Sequence, residues 1–287
     1  MVPEPTVRSV LLEWDLDPAM ALVVLTLAGL YLVGVRRLAR RTPARRWPPA
    51  RTVSFGLGLL AIVVATQSGI ARYDVVLFSL HTVQHILLGM VAPVLLALSA
   101  PVTLALQASR PRTQRTLARL LHHPVVRAVT HPIVVWVVFG GTLFALYFSP
   151  LFELSLRNPW VHQAVHLHFL AAGCLFAWVA VGVDVLPRRL PHPARLLSVL
   201  LAVPFHAFLG LAVLSAADNP LGEDVYGSVV RTWGGGLAAD QRTGAGLLWA
   251  LGDLLGVVLG AVVLAQWIKA DERRQAREDR LLDASGR

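Results

Sequence analysis

Apolar runs of about 20 residues, the length an α-helix needs to cross a bilayer, recur through this chain between clusters of charge. With 55% hydrophobic and only 15% charged residues, the composition agrees with an integral membrane protein rather than a soluble one. The runs predict seven transmembrane helices, near 18–35, 53–71, 79–107, 128–149, 161–186, 196–216 and 244–268. The longest connection, from Ala217 to Thr243, has no alternating or amphipathic pattern, so the chain reads as one all-α, polytopic domain with a basic tail over 269–287. The first segment opens with Glu4, Glu13, Asp15 and Asp17 and lacks the basic start of a secretory leader, so it is read as the first helix. A single cysteine, Cys174, excludes an intrachain disulfide and any CxxC metal motif.

The net charge of +9 invites a nucleic-acid reading, which its distribution opposes. Arg36, Arg37, Arg40, Arg41, Arg45, Arg46 and Arg51 fill the first loop. Arg110, Arg112, Arg115, Arg119 and Arg127 fill the third, and Arg188, Arg189 and Arg195 the fifth. Lys269, Arg273, Arg274, Arg277, Arg280 and Arg287 follow the last span, whereas the alternate loops and the N-terminus hold only Arg8, Arg72, Arg157, Arg231 and Arg242. Basic loops stay on the cytoplasmic side, which predicts an outside N-terminus and a cytoplasmic C-terminus. The charge is explained by topology, with the lipid bilayer as partner and no nucleic acid.

Histidines interrupt this apolar pattern in pairs. His81 and His85 open the third span, and His162 and His166 open the fifth. Residues four apart lie about 40° apart around a helix and about 6 Å apart along it, so each pair puts both imidazoles on one face. In the predicted topology both pairs start at the outer surface. His206 on the sixth helix falls about 15 Å below its outer end, and Asp253 on the seventh at a similar depth. A central acid costs about 2.5–3.5 kcal/mol on the insertion scale, so these six groups are expected to face inward and find partners. They form the candidate metal site: His81, His85, His162, His166, His206 and Asp253. His168 points about 200° away from His166 and is expected to support the site from behind rather than to ligate, as are Gln84 and Trp249.

Other polar residues have plainer readings. His122, His123, His131 and His192 lie in basic loops, three of them before proline, where helix starts are usual. Asp184 beside Arg188 and Arg189 reads as an interfacial ion pair. Trp47, Trp160, Trp233 and Trp267 read as interface anchors. Gly56 and Gly58 on the second helix, with Gly252, Gly256 and Gly260 on the seventh, read as small faces for close helix packing.

Imidazole and carboxylate ligands suit zinc, copper or iron, while the three methionines, Met1, Met20 and Met90, do not favour a thioether-rich site. A haem protein would pair His85 with His166, or His81 with His162, across a porphyrin. A membrane-embedded zinc hydrolase would use three of His81, His85, His206 and Asp253 with an open water position, although the chain carries no HExxH.

The order of motifs resembles the CtaG-type family of bacterial cytochrome c oxidase assembly factors, from the third helix to the seventh. The carriers are His81-Thr-Val-Gln-His85 with Pro93, Ser99-Ala-Pro-Val, His166-Leu-His168-Phe with Gly173 and Phe176-Ala-Trp178, and Gly182-Val-Asp184 with Pro187. Pro204-Phe-His206-Ala-Phe-Leu-Gly210, then Asp240-Gln241 with Gly246, Trp249 and Gly252, complete the series. The usual tryptophan-proline reads Trp178-Val179 here, and the proline after the aspartate is Val185, a departure that touches helix shape more than ligands. The resemblance implies a non-enzymatic role in maturing a haem-copper oxidase in the bacterial plasma membrane. It implies copper as the metal, delivered to an oxidase subunit.

Overall fold

The computed structural model describes residues 2–42, 46–284 and 286; Arg45 and Arg287 of the basic segments, and Met1, lie outside the described residues. Among these there is no strand, only one isolated antiparallel bridge between Trp14 and Ser68. Six helices are long and apolar enough to cross a membrane: α1 (Pro18–Arg41), α2 (Pro49–Gln67), α3 (Phe78–Ala108), α6 (Pro159–Val181), α7 (His192–Ser215) and α8 (Leu237–Ala284). A seventh crossing forms only if α4 (Pro132–Tyr147) and α5 (Leu151–Arg157), bent by 73° at Phe148–Pro150, are taken as one span. The expected fourth helix over 128–149 is thus α4 from Pro132 to Tyr147, too short to cross without the bent α5, and residues 269–284 of the expected tail continue α8 as helix.

Helix ends follow local chemistry. Asp17 Oδ1 accepts from the Ala19 and Met20 amides and precedes Pro18, whose fixed φ suits a first helical position. Asn158 and Pro159 start α6 in the same way, and Gly182, at φ +56°, ends it in the left-handed conformation that a side chain resists. Inside α3, Pro93 has no N–H for the carbonyl of Gly89, and the helix widens into a π-turn over Leu87–Val91. Two acids cap α3 from a distance. The Asp240 carboxylate accepts from the Phe78 amide at 2.7 Å and the Ser79 hydroxyl at 2.6 Å. Asp184 accepts from the Val102 and Thr103 amides at 2.8 and 2.6 Å, where the chain restarts after Ala100 at φ +54°. Asp184 thus serves as a helix cap, correcting its reading as an ion pair with Arg188 and Arg189: four donors converge on one carboxylate and satisfy it.

Packing is close where small residues meet. A Cβ on Gly173 of α6 would overlap the Gly89 carbonyl oxygen of α3, and one on Gly252 of α8 would fall 2.8 Å from the His206 ring of α7. Gly256 and Gly260 continue that α7–α8 seam, and Gly58 lies against Leu96 of α3, while Gly56 faces no neighbour within 4 Å. Leu25, Leu60, Phe208 and Val257 project outward and exposed, as residues facing acyl chains should. At one end of the bundle Phe78, Tyr147, Phe152 and Tyr226 pack together beside the histidines in tilted and edge-to-face pairs, with ring centroids 5.4–6.4 Å apart.

Candidate metal centre

α3 and α6 bring the two histidine pairs together. Ring centroids are 4.1 Å apart for His81–His85 and 4.2 Å for His162–His166 along the helices, and 5.5 Å for His81–His162 and 6.1 Å for His85–His166 between them. His81 is completely buried, His85 and His166 nearly so, and His162 retains 13% of its side-chain exposure. The four imidazoles make a small quadrilateral between two helices held close by the Gly89–Gly173 contact.

Hydrogen bonding leaves ligand atoms free. His81 has no partner on either nitrogen; the Asp74 carbonyl lies near the ring without meeting hydrogen-bond geometry. His85 Nδ1 is 3.2 Å from the Tyr147 hydroxyl and its Nε2 is unpartnered. His166 Nε2 is 2.9 Å from Gln84 Oε1, and the Gln84 amide in turn donates to the Ala65 carbonyl, so Nδ1 is the free atom. An imidazole fixed at one nitrogen by such a partner presents the other in a defined direction, as metal-binding histidines do. Two groups of ligand atoms lie within 4.8 Å of one another: His81, His85 and His162, and Asp74, His162 and His166.

Asp74 has no counterpart among the residues picked from sequence. It lies in the connection before α3, with Oδ2 3.8 Å from His162 Nε2, and burial pushes its carboxyl up to about 7 despite the Gln84 side chain and the Val75 amide favouring the charged form. Its only sequence signal is an acid seven residues ahead of His81, too far for a helix-face argument. Tyr147 was likewise hidden at the end of the broken fourth span.

The remaining candidates sit elsewhere. His206 Nδ1 is 2.7 Å from the Ala202 carbonyl, its ring packs against Phe139 and Phe205, and it joins neither ligand group. Asp253 Oδ2 accepts from Trp249 Nε1 at 2.7 Å, so Trp249 backs Asp253 and not the cluster; Asp253 also joins neither ligand group. His168 is exposed on the far side of α6, while Gln84 does touch the cluster through His166. The two pairs read as possible haem ligands, His85–His166 and His81–His162, have ring centroids 6.1 and 5.5 Å apart at interplanar angles of 83° and 8°. Of the set read for a zinc hydrolase, His81 and His85 share a ligand group, which His206 and Asp253 do not join.

A cleft of about 460 Å³ leads to this cluster, lined by Asp15, Asp17, Asp74, His162, Gln163 and His166 among others. Its two arginines are already neutralised, Arg72 by Glu13 at 3.0 Å and Arg157 by Asp224 at 2.9 Å, so the cleft presents net negative charge to a cation.

The fold and site define a class: a polytopic all-α membrane protein with a buried four-histidine cluster between two helices. The particular family is set by sequence comparison. The chain belongs to the cytochrome c oxidase caa3 assembly factor family (Caa3_CtaG), whose model matches residues 29–270. It is 36% identical to the uncharacterized proteins Mb0105 of Mycobacterium bovis and MT0111 of Mycobacterium tuberculosis, covering 98% of this chain and 43% of each relative. ML1998 of Mycobacterium leprae is 33% identical, covering 95% of this chain and 42% of its own length. The chain thus spans about two fifths of the curated relatives it matches. No solved structure matches it.

Proposed function

We propose that this protein acts in the bacterial plasma membrane as a carrier in cytochrome c oxidase assembly, taking copper into the cluster of His81, His85, His162 and His166 and passing it to an oxidase subunit. The observation that carries this reading is the set of buried, unpartnered imidazole nitrogens converging from two helices. Each buried polar atom without a partner costs about 1–3 kcal/mol, and a bound ion removes that cost at several atoms at once. Imidazoles accept copper, zinc and iron alike; copper is favoured by the family's oxidase link. Copper is cargo here, so no bond other than metal–ligand bonds need change and no catalytic turnover is required. An outward-facing cluster, which the arginine distribution would favour through the positive-inside rule, fits copper arriving from outside.

The test is elemental analysis of protein purified from copper-replete cells, together with oxidase content of the membranes, for wild type and His85→Ala/His162→Ala. Near-stoichiometric copper in wild type, lost with mature oxidase in the variant, is the expected result. Zinc in place of copper, or copper and oxidase unchanged in a folded variant, would overturn the proposal.

A further inference from the structure

The two ligand groups are not equivalent with respect to solvent. Asp74, His162 and His166 all line the cleft, whereas His81 and His85 do not and lie behind them. His162 belongs to both groups and is the most exposed of the four histidines. Its Nε2 has no hydrogen-bond partner and sits 3.8 Å from Asp74 on one side, while its ring stacks on His81 at 5.5 Å with an 8° interplanar angle on the other.

We infer that the cluster is a two-position relay for a single metal cation: an outer position of Asp74, His162 and His166 that captures the ion from the cleft, and an inner position of His81, His85 and His162 that holds it. This deepens the carrier reading and rests on it. Transfer is ligand exchange: His162 stays bonded, the bonds to Asp74 and His166 break, and those to His81 and His85 form. The ion keeps its oxidation state. Both sets draw on His162, so the relay is drawn for one ion passing between them. The carboxylate suits the outer position, because an oxygen ligand beside the acidic cleft attracts a hydrated cation and exchanges readily, while the nitrogen-only interior is selective for imidazole-loving metals. Release would retrace these steps, making Asp74 the last ligand that an acceptor must displace.

The experiment is rapid mixing of the purified full chain in detergent with one equivalent of Cu(II), freeze-quenched at successive ages and read by electron paramagnetic resonance. Wild type should show an early mixed oxygen–nitrogen spectrum that gives way to a nitrogen-only one. Asp74→Asn should miss the early species and reach the late one about tenfold more slowly, with final stoichiometry unchanged. That substitution leaves the main-chain carbonyl of Asp74 in place to accept the Tyr226 hydroxyl. His81→Ala/His85→Ala should stop at the early spectrum. One nitrogen-only species from the first time point, or loading unaffected by Asp74→Asn, would overturn the relay and leave the four-histidine carrier standing. A folded His81→Ala/His85→Ala that takes up no Cu(II) would do the same. Failure of wild type to take up Cu(II) would remove both readings.

Discussion

At the scale of single residues, the acids of this chain divide by what surrounds them. Asp184 and Asp240 receive several amide and hydroxyl hydrogens and work as caps at the two starts of α3, whereas Asp74 faces a histidine and a cleft. Charge-assisted hydrogen bonds of the Asp240 kind are worth about 1.5–3 kcal/mol when lost from a buried acceptor. Asp240→Ala should therefore lower stability by roughly that amount, seen as a reduced melting temperature in detergent, and it should weaken Cu(II) binding because the released helix start carries His81 and His85. A variant with unchanged melting would show that the Phe78 and Ser79 donors find water instead. The sequence marked Asp240 only through family resemblance and gave Asp184 its neighbours Arg188 and Arg189 as partners, because a cap reached from 81 or more residues away leaves no spacing to read.

At the scale of helices, the site depends on how close α3 and α6 can come. Pro93 opens the π-turn, the freed Gly89 carbonyl meets Gly173, and the two histidine faces end up 5.5–6.1 Å apart. Gly173→Ala puts a methyl group into that carbonyl, where backbone and not a flexible side chain must yield. An overpacked contact of this sort costs about 1–3 kcal/mol, so the variant should melt earlier and bind Cu(II) more weakly while keeping all four histidines. Equal affinity in a folded Gly173→Ala protein would show that the helix spacing does not set the site. The histidine pairs were legible in sequence, since four-residue spacing on a helix has one geometric meaning. The separation of the two faces was not, because it is decided by a proline four residues after one glycine and by a second glycine on another helix.

For the molecule as a whole, the arginine distribution makes an orientation prediction that stands apart from the metal chemistry. A fluorescent reporter fused after residue 284 should mature in the cytoplasm, and a cysteine at position 15 on Cys174→Ala should react with an impermeant thiol reagent in intact cells; the reverse pattern would invert the topology and place the cleft on the inner side. The all-α membrane class, most of the spans and the helices that carry the ligands were determined by the sequence alone, because bilayer length and helical periodicity act locally along the chain. The grouping of ligands was not. His206 and Asp253 were expected at the depth of the four histidines but join neither ligand group, and Asp74 entered from a connection that no periodicity marks. Depth is a one-dimensional quantity that sequence supplies, whereas the rotation and contact of one helix against another depend on side chains far apart in the chain, and only the tertiary structure decides them.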